Sequence, residues 1–294
     1  MSAAAMGIDH GLFGNVFVQG NGKGGVGKTT LTGNMAAKTA REGLLTLGID
    51  VNGQGNLRRE LGYGVQDNGA AFAESMRKGT PLVPISVRDN LDVVPGGSHV
   101  RELNDIFLSL ATSQGPLAAF LRLAQCLQPL LSKYDIVFID SPPENPNLLI
   151  MCLAAARWVV TPVKSDAASL EDGLTDFAQS FGMVKSQINP MLTLLGVVHF
   201  ASARNATNVH KDVARRSRKI LGKVAHTFST VIGQSEATAK LAREERYSRP
   251  VYDLNQLRIQ GDREIPEAAQ ALADDHDALT LEVLERAQML RSAA

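Results

Sequence analysis

The stretch Gln19-Gly20-Asn21-Gly22-Lys23-Gly24-Gly25-Val26-Gly27-Lys28-Thr29-Thr30 constrains this chain more than any other. Gly22 and Gly27 frame four residues and Lys28-Thr29 follow, the phosphate-binding spacing G-x-x-x-x-G-K-[ST]. An apolar run, Val16-Phe17-Val18, precedes the loop, and a helix-like pattern, Leu31 to Arg41, follows it. Strand, glycine loop and helix in that order are the context the pattern needs. Glycines let backbone N–H groups turn inward around phosphate oxygens, and the helix adds its positive end. The expected cradle is Gly22, Lys23, Gly24, Gly25, Val26, Gly27, Lys28, Thr29 and Thr30, with Lys28 reaching the β- and γ-phosphates and Thr29 holding Mg2+ through its hydroxyl. The competing reading, a glycine-rich turn with two exposed lysines, leaves the agreement of spacing and flanks unexplained.

Along the rest of the chain, short apolar runs alternate with longer helical patterns, which predicts βαβ units and a mainly parallel, doubly wound α/β sheet flanked by helices. The expected strands are Val16–Gln19, Leu44–Ile49, Leu91–Val94, Ile136–Ile139, Val159–Thr161, Leu194–Phe200 and Val224–Phe228. Helices are expected over Pro116–Leu131, Ser169–Val184 and Glu267–Arg291, with loops and short helices between Gly53 and Asn90. Residues 1–14, small and nearly uncharged, read as a flexible tail without a signal sequence, and 15–294 as one domain ending in a helix.

Composition narrows the function classes. No apolar run is long enough to span a bilayer. Cys126 and Cys152 form no C-x-x-C pair and the six histidines no cluster, which argues against a disulfide framework or a zinc site and points to a reducing cytoplasm. The net charge of +0 hides a basic stretch: Arg204, Lys211, Arg215, Arg216, Arg218, Lys219 and Lys223 face a single acid, Asp212. Arg215, Arg218 and Lys219 are spaced to share a helix face, the kind of surface that holds phosphates without reading sequence. The bland alternative is a solvated helix face. Elsewhere, Ile136 to Asp140 is an apolar strand ending in a carboxylate, the position from which a phosphate-loop ATPase brings an Asp to the Mg2+ shell.

Lys23 adds detail. Lys-Gly-Gly-Val-Gly-Lys-Thr-Thr resembles the deviant loop of the ParA/MinD family of ATPases, a P-loop NTPase fold. The resemblance implies that Lys23 crosses a dimer interface to the partner's nucleotide, so that two ATP-loaded subunits meet face to face. Asp140-Ser141-Pro142-Pro143 resembles the family's second switch. Asp50-Val51-Asn52-Gly53-Gln54-Gly55-Asn56 is similar to its first switch, D-x-D-P-Q-G-N, which puts Asp50 beside Thr29 and Asp140 at the metal and Asn52 where water is activated. Asn52 and Gly53 depart from that pattern. An amide can orient water but supplies no carboxylate, so hydrolysis is expected to be slow, to use another group, or to give way to an ATP-locked scaffold; harmless drift is the alternative. Val163-Lys164-Ser165-Asp166 ends like a guanine-recognition motif, but Val163 precedes the lysine and Thr161-Pro162 fits the ParA pattern, which favours ATP.

Arg204-Asn205-Ala206-Thr207-Asn208 resembles the family's R-T-N stretch, and Lys240 and Arg243 fall where members carry further basic contacts. The implied DNA-binding set is Arg204, Lys211, Arg215, Arg218, Lys219, Lys240 and Arg243. The acidic terminal helix, with Glu267, Asp274, Asp275, Asp277, Glu282 and Glu285, disfavours a MinD-like membrane-surface role. The resemblance therefore implies a nucleoid-associated partition ATPase of the cytoplasm. It would use ATP and Mg2+, form a homodimer on ATP, bind double-stranded DNA without sequence preference, and answer to a ParB-like partner.

Overall fold

The structure, a computed structural model, describes residues 2–143, 145–164, 167–222 and 225–293, without the side chains of 167–169. Among the described residues, seven strands form one sheet: β1 Val16–Gln19, β2 Thr46–Asp50, β3 Ile85–Arg88, β4 Leu91–Val94, β5 Ile136–Asp140, β6 Trp158–Val163 and β7 Thr193–His199. Their order is β3-β4-β2-β5-β1-β6-β7, and every pairing is parallel except β3 with β4. The helices are α1 Lys28–Arg41, α2 Leu57–Leu61, α3 Ala70–Lys78, α4 Leu103–Gln114, α5 Pro116–Leu127, α6 Pro146–Ala154, α7 Ala167–Gln187, α8 Thr207–Leu221, α9 Glu236–Leu241, α10 Val251–Ile259 and α11 Ala268–Ser292. Among the described residues, no helix is long and apolar enough to cross a membrane.

Strand alternation sets the two layers. Val16 and Val18 of β1 face a core built with α4, α5, α6 and α7, whereas Phe17 faces one built with α1, α2, α10 and α11. Both faces of the central strands are covered, which is why they read as unbroken apolar runs. Trp158 is fully buried, and its indole N–H donates to the Gly14 carbonyl at 2.8 Å. β1 lies between β5 and β6, and the loop leaving its carboxyl end opens into the crevice where doubly wound sheets bind ligands.

Three expectations need correction. Residues 2–14 are packed, not a flexible tail: Ile8 and Phe13 are buried in the core, His10 Nε2 lies 3.0 Å from the Ala154 carbonyl, and Asp9 N–H donates to Gln128 Oε1 at 2.9 Å. Two apolar side chains among small residues are enough to seat the segment. The predicted strand Val224–Phe228 does not form in its described part. It bridges β7 at Thr227 alone, and Glu282 then turns the chain by accepting the N–H groups of Ser229 and Thr230. Lys223 and Val224 lie outside the described residues, as do Ser165 and Asp166 of the Lys-x-Asp segment. The seventh strand is instead the half-exposed edge β3, joined to β4 through Asn90 at φ 58°. The helix predicted to Leu131 ends at Leu127, because Pro129 cannot donate to the helical ladder and the chain tightens into a 3-10 turn.

Candidate nucleotide site

The loop between β1 and α1 is fixed from several sides. Asn21 donates from Nδ2 to the Pro162 carbonyl of β6 (2.9 Å) and accepts from the Lys23 N–H (2.9 Å). Gly27 has φ 99°, and a Cβ there would stand 2.5 Å from the Phe200 ring, so backbone strain and space both demand glycine. Lys28, 6% exposed, donates from Nζ to the carbonyls of Asn21 (3.0 Å) and Lys23 (2.7 Å). The ammonium is thus held inside the curve of the loop.

At the adjoining strand ends, Asp50 and Asp140 are register partners on β2 and β5, and both are fully buried. Thr29 donates its hydroxyl to Asp140 Oδ2 at 2.7 Å, while Asp140 Oδ1 has no partner among the described residues. Asp50 accepts the N–H groups of Asn52 (3.0 Å) and Leu57 (3.1 Å). Burial pushes Asp140 up to about 7, against the Thr29 hydrogen bond and the Lys28 charge, which pull it down. Burial, then the Asp140 charge, push Asp50 well above the usual carboxylate range. An orphaned carboxylate oxygen, a second carboxylate and a hydroxyl form the hard-oxygen environment that suits Mg2+, and a divalent cation would return both acids to their ionised forms.

A cavity of about 750 Å³ opens from the loop. Gly24 to Thr30 border it, as do Asn52, Glu60, Lys164, Phe200 and Arg243. Asn52 is 8% exposed and uses its Oδ1 to accept the Gln54 N–H at 3.0 Å, so its side chain shapes the loop it belongs to. Lys23 does not border this cavity. Its side chain lies along α7, where a Cβ on Gly173 would stand 2.6 Å from Lys23 Cγ. Its ammonium is 3.9 Å from Asp172 Oδ2, in a separate recess with Pro142, Pro146 and Glu171.

The predicted DNA-binding residues are all exposed and are spread over several elements. Arg243 is at the nucleotide cavity: its Nε donates to Glu60 Oε1 (3.0 Å) and its Nη2 to Thr30 Oγ1 (2.9 Å), while Thr30 donates to the same carboxylate (2.8 Å). Glu60 is 3% exposed, and a buried carboxylate requires such a partner. Arg204 is clamped by Asp275 of α11, with Nε at 3.2 Å and Nη2 at 2.5 Å. Lys211, Arg215, Arg218 and Lys219 stand exposed on α8, Arg215 paired with Asp212, and Lys240 is exposed on α9. Arg216 of α8 bridges Asp212 and Glu171, each at 2.7 Å, and joins α8 to α7. Sequence reasoning missed Glu60 and Asn21, because a lone acid in a five-residue helix and a lone amide in a loop carry no spacing signal.

A glycine loop between strand and helix, with a lysine inside it and a hydroxyl and two carboxylates at its foot, defines a P-loop nucleotide-binding protein. The chain matches the AAA domain family over residues 14–194. It is 32% identical over 204 residues to the chromosome partitioning protein ParA of Myxococcus xanthus, covering 68% of this chain and 69% of that one. It is 31% identical to the chromosome-partitioning ATPase Soj of Treponema pallidum, covering 80% and 87%. Its fold is similar to that of a Cyanothece McdA variant solved with ATP, with a TM-score of 0.71, 18% identity, and 92% and 96% of the two chains covered. The protein belongs to the ParA/MinD superfamily of ATPases.

Proposed function

We propose that this protein is a ParA-type partition ATPase that pairs on ATP, binds duplex DNA without sequence preference, and positions a plasmid, a chromosome or another cargo. The observation that carries the reading is the opposite disposition of two lysines in one loop. Lys28 is drawn into the cavity wall, and Lys23 is turned out of it toward a recess on the protein's face. Lys28 and the loop N–H groups hold the triphosphate, and Thr29, Asp50 and Asp140 hold Mg2+, which when bound neutralises phosphate charge. Lys23 then offers its ammonium to the nucleotide of a second copy, so self-association depends on the terminal phosphate.

Two α8 helices brought together double the phosphate contacts of Lys211, Arg215, Arg218 and Lys219, and affinity for DNA rises steeply. Arg204, whose side chain is 46% exposed beside Asp275, stays in the DNA set, and Arg243 is assigned to the nucleotide cavity. A ParB-like partner stimulates turnover and releases the dimer. This assigns the protein to the nucleoid of the cytoplasm. A second reading, an ATP-locked scaffold with little hydrolysis, draws support from Asn52, whose amide oxygen is committed to Gln54.

The test is a DNA-binding titration without nucleotide and with ADP, ATP or a non-hydrolysable analogue, with turnover followed in parallel. Tight binding only with ATP and the analogue supports the switch. DNA affinity independent of nucleotide defeats it. Turnover that stays near zero with DNA and partner present selects the scaffold.

A further inference from the structure

A second cavity, of about 390 Å³, shares Gln54, Asn56 and Arg59 with the nucleotide cavity as walls. Arg58, Arg59 and Arg101 line it, and among the described residues no acid does. None of these three guanidinium groups has an ion-pair or hydrogen-bond partner among the described residues. Arginines on adjacent elements behave differently: Arg77 pairs with Glu102 at 2.8 Å, and Arg88 pairs with Asp253. Three cations around one hollow, with no counter-charge from the protein, create a positive potential that concave walls concentrate.

The first-switch segment makes room for this arrangement. Gly53 stands where the first-switch pattern carries proline. A Cβ there would stand 2.6 Å from Arg101 Cγ and 3.3 Å from its Nε, so the arginine stem crosses the glycine only because no side chain is present. The Asn52 carbonyl accepts the N–H groups of Gly55 (2.9 Å) and Gly97 (3.1 Å). These bonds tie together the segments that follow β2 and β4, both of which line the cavity. Guanidinium groups present paired N–H donors that match phosphate oxygens, and three of them suit a ligand with more than one negative charge. A hollow of this volume suits a small molecule, whereas duplex DNA presents its phosphates along an outer ridge and calls for an open face such as α8.

We propose that this cavity is an anion site for a small, multiply phosphorylated molecule held by Arg58, Arg59 and Arg101. Such a ligand grips the segment that also borders the nucleotide cavity, so its binding and that of the nucleotide affect one another. That link rests on the reading of the larger cavity as the ATP site; the anion site itself does not.

The test measures inorganic pyrophosphate binding by calorimetry at constant ionic strength, with Mg2+ and a saturating non-hydrolysable ATP analogue filling the glycine loop. The proteins are the wild type, Arg58→Gln combined with Arg101→Gln, Gly53→Ala, and Arg215→Gln combined with Arg218→Gln, with thermal melts to follow the fold. The proposal predicts saturable pyrophosphate binding to the wild type and a roughly tenfold or greater weakening in the Arg58/Arg101 variant, the scale of lost charge-assisted hydrogen bonds. Gly53→Ala keeps all three arginines but displaces the Arg101 stem, and should weaken the probe several-fold. The Arg215/Arg218 variant should bind it as the wild type does. Absence of saturable binding overturns the proposal, as does unchanged affinity in the Arg58/Arg101 variant or an equal loss in the Arg215/Arg218 variant, which marks an effect of net charge. Duplex DNA titrated against the same proteins separates the sources of phosphate: lost DNA affinity in the Arg58/Arg101 variant without pyrophosphate binding to the wild type assigns these arginines to DNA and overturns the small-molecule site. If the Arg58/Arg101 variant does not fold, Gly53→Ala decides alone: weaker binding upholds the site and unchanged binding rejects it. Analogue occupancy is measured separately, so a protein that takes no analogue defeats the ATP reading while the variants still decide the anion site.

Discussion

Beneath the glycine loop, Lys28, Asp50 and Asp140 are withdrawn from water and locked to named partners, whereas on α8 Lys211, Arg215, Arg218 and Lys219 stand in solvent. Buried charges are costly unless paired, so the first group dictates the chemistry of what must sit beside it. Exposed charges are screened and individually weak, so the second group matters only in number. One region specifies a ligand. In the proposed function the other would supply a graded, salt-dependent attraction that two copies strengthen.

The largest effect should come from the buried region. Lys28→Ala is expected to lower ATP affinity by about two orders of magnitude or more, since a charge-assisted contact to phosphate is lost and the loop loses its internal tie. Calorimetry checks this, and unchanged affinity would remove the loop from the site. Asp140→Asn follows. It should erase most of the Mg2+ dependence of nucleotide binding while raising the melting temperature of the nucleotide-free protein, because it deletes one of two adjacent buried carboxylates. A lower melting temperature with intact Mg2+ dependence would contradict that account.

Replacing Arg215 and Arg218 together by Ala should weaken DNA binding on every sequence and lower the slope of log affinity against log salt by about 2 per subunit at most. ATP affinity should not move. Arg243→Ala sharpens the contrast from the other side: ATP affinity should fall several-fold, as Thr30 and Glu60 lose their cation, while DNA affinity at saturating ATP stays near wild type. The reverse pattern would return Arg243 to the DNA surface. The smallest expected change is in Asn52→Asp, which should raise ATP turnover if the amide limits water activation and leave it alone if the residue only shapes its loop.

The same contrast explains what the sequence made legible. Gly27, Lys28 and Thr29 could be read directly, because phosphate binding demands a backbone conformation that few residue orders permit. Asp140 followed from an apolar strand ending in an acid. The position of Arg243 at the nucleotide cavity could not be read, for the opposite reason. An arginine on an open face and one that borders a cavity look alike in sequence, and Glu60, the partner of Arg243, lies 183 residues away. β3 was missed because its half-exposed residues lack an apolar run, and the Val224–Phe228 strand was expected because an apolar run does not reveal that Glu282 will turn it aside.

The central claim, that nucleotide state and self-association are one event joined by Lys23, is tested most directly by sedimentation of wild-type protein and Lys23→Ala with ADP and with a non-hydrolysable ATP analogue, nucleotide occupancy being measured in the same samples. The account predicts a wild-type dimer with the analogue alone and a Lys23→Ala monomer that still carries nucleotide. A Lys23→Ala protein that dimerises normally, or a wild type that stays monomeric when loaded, would contradict it.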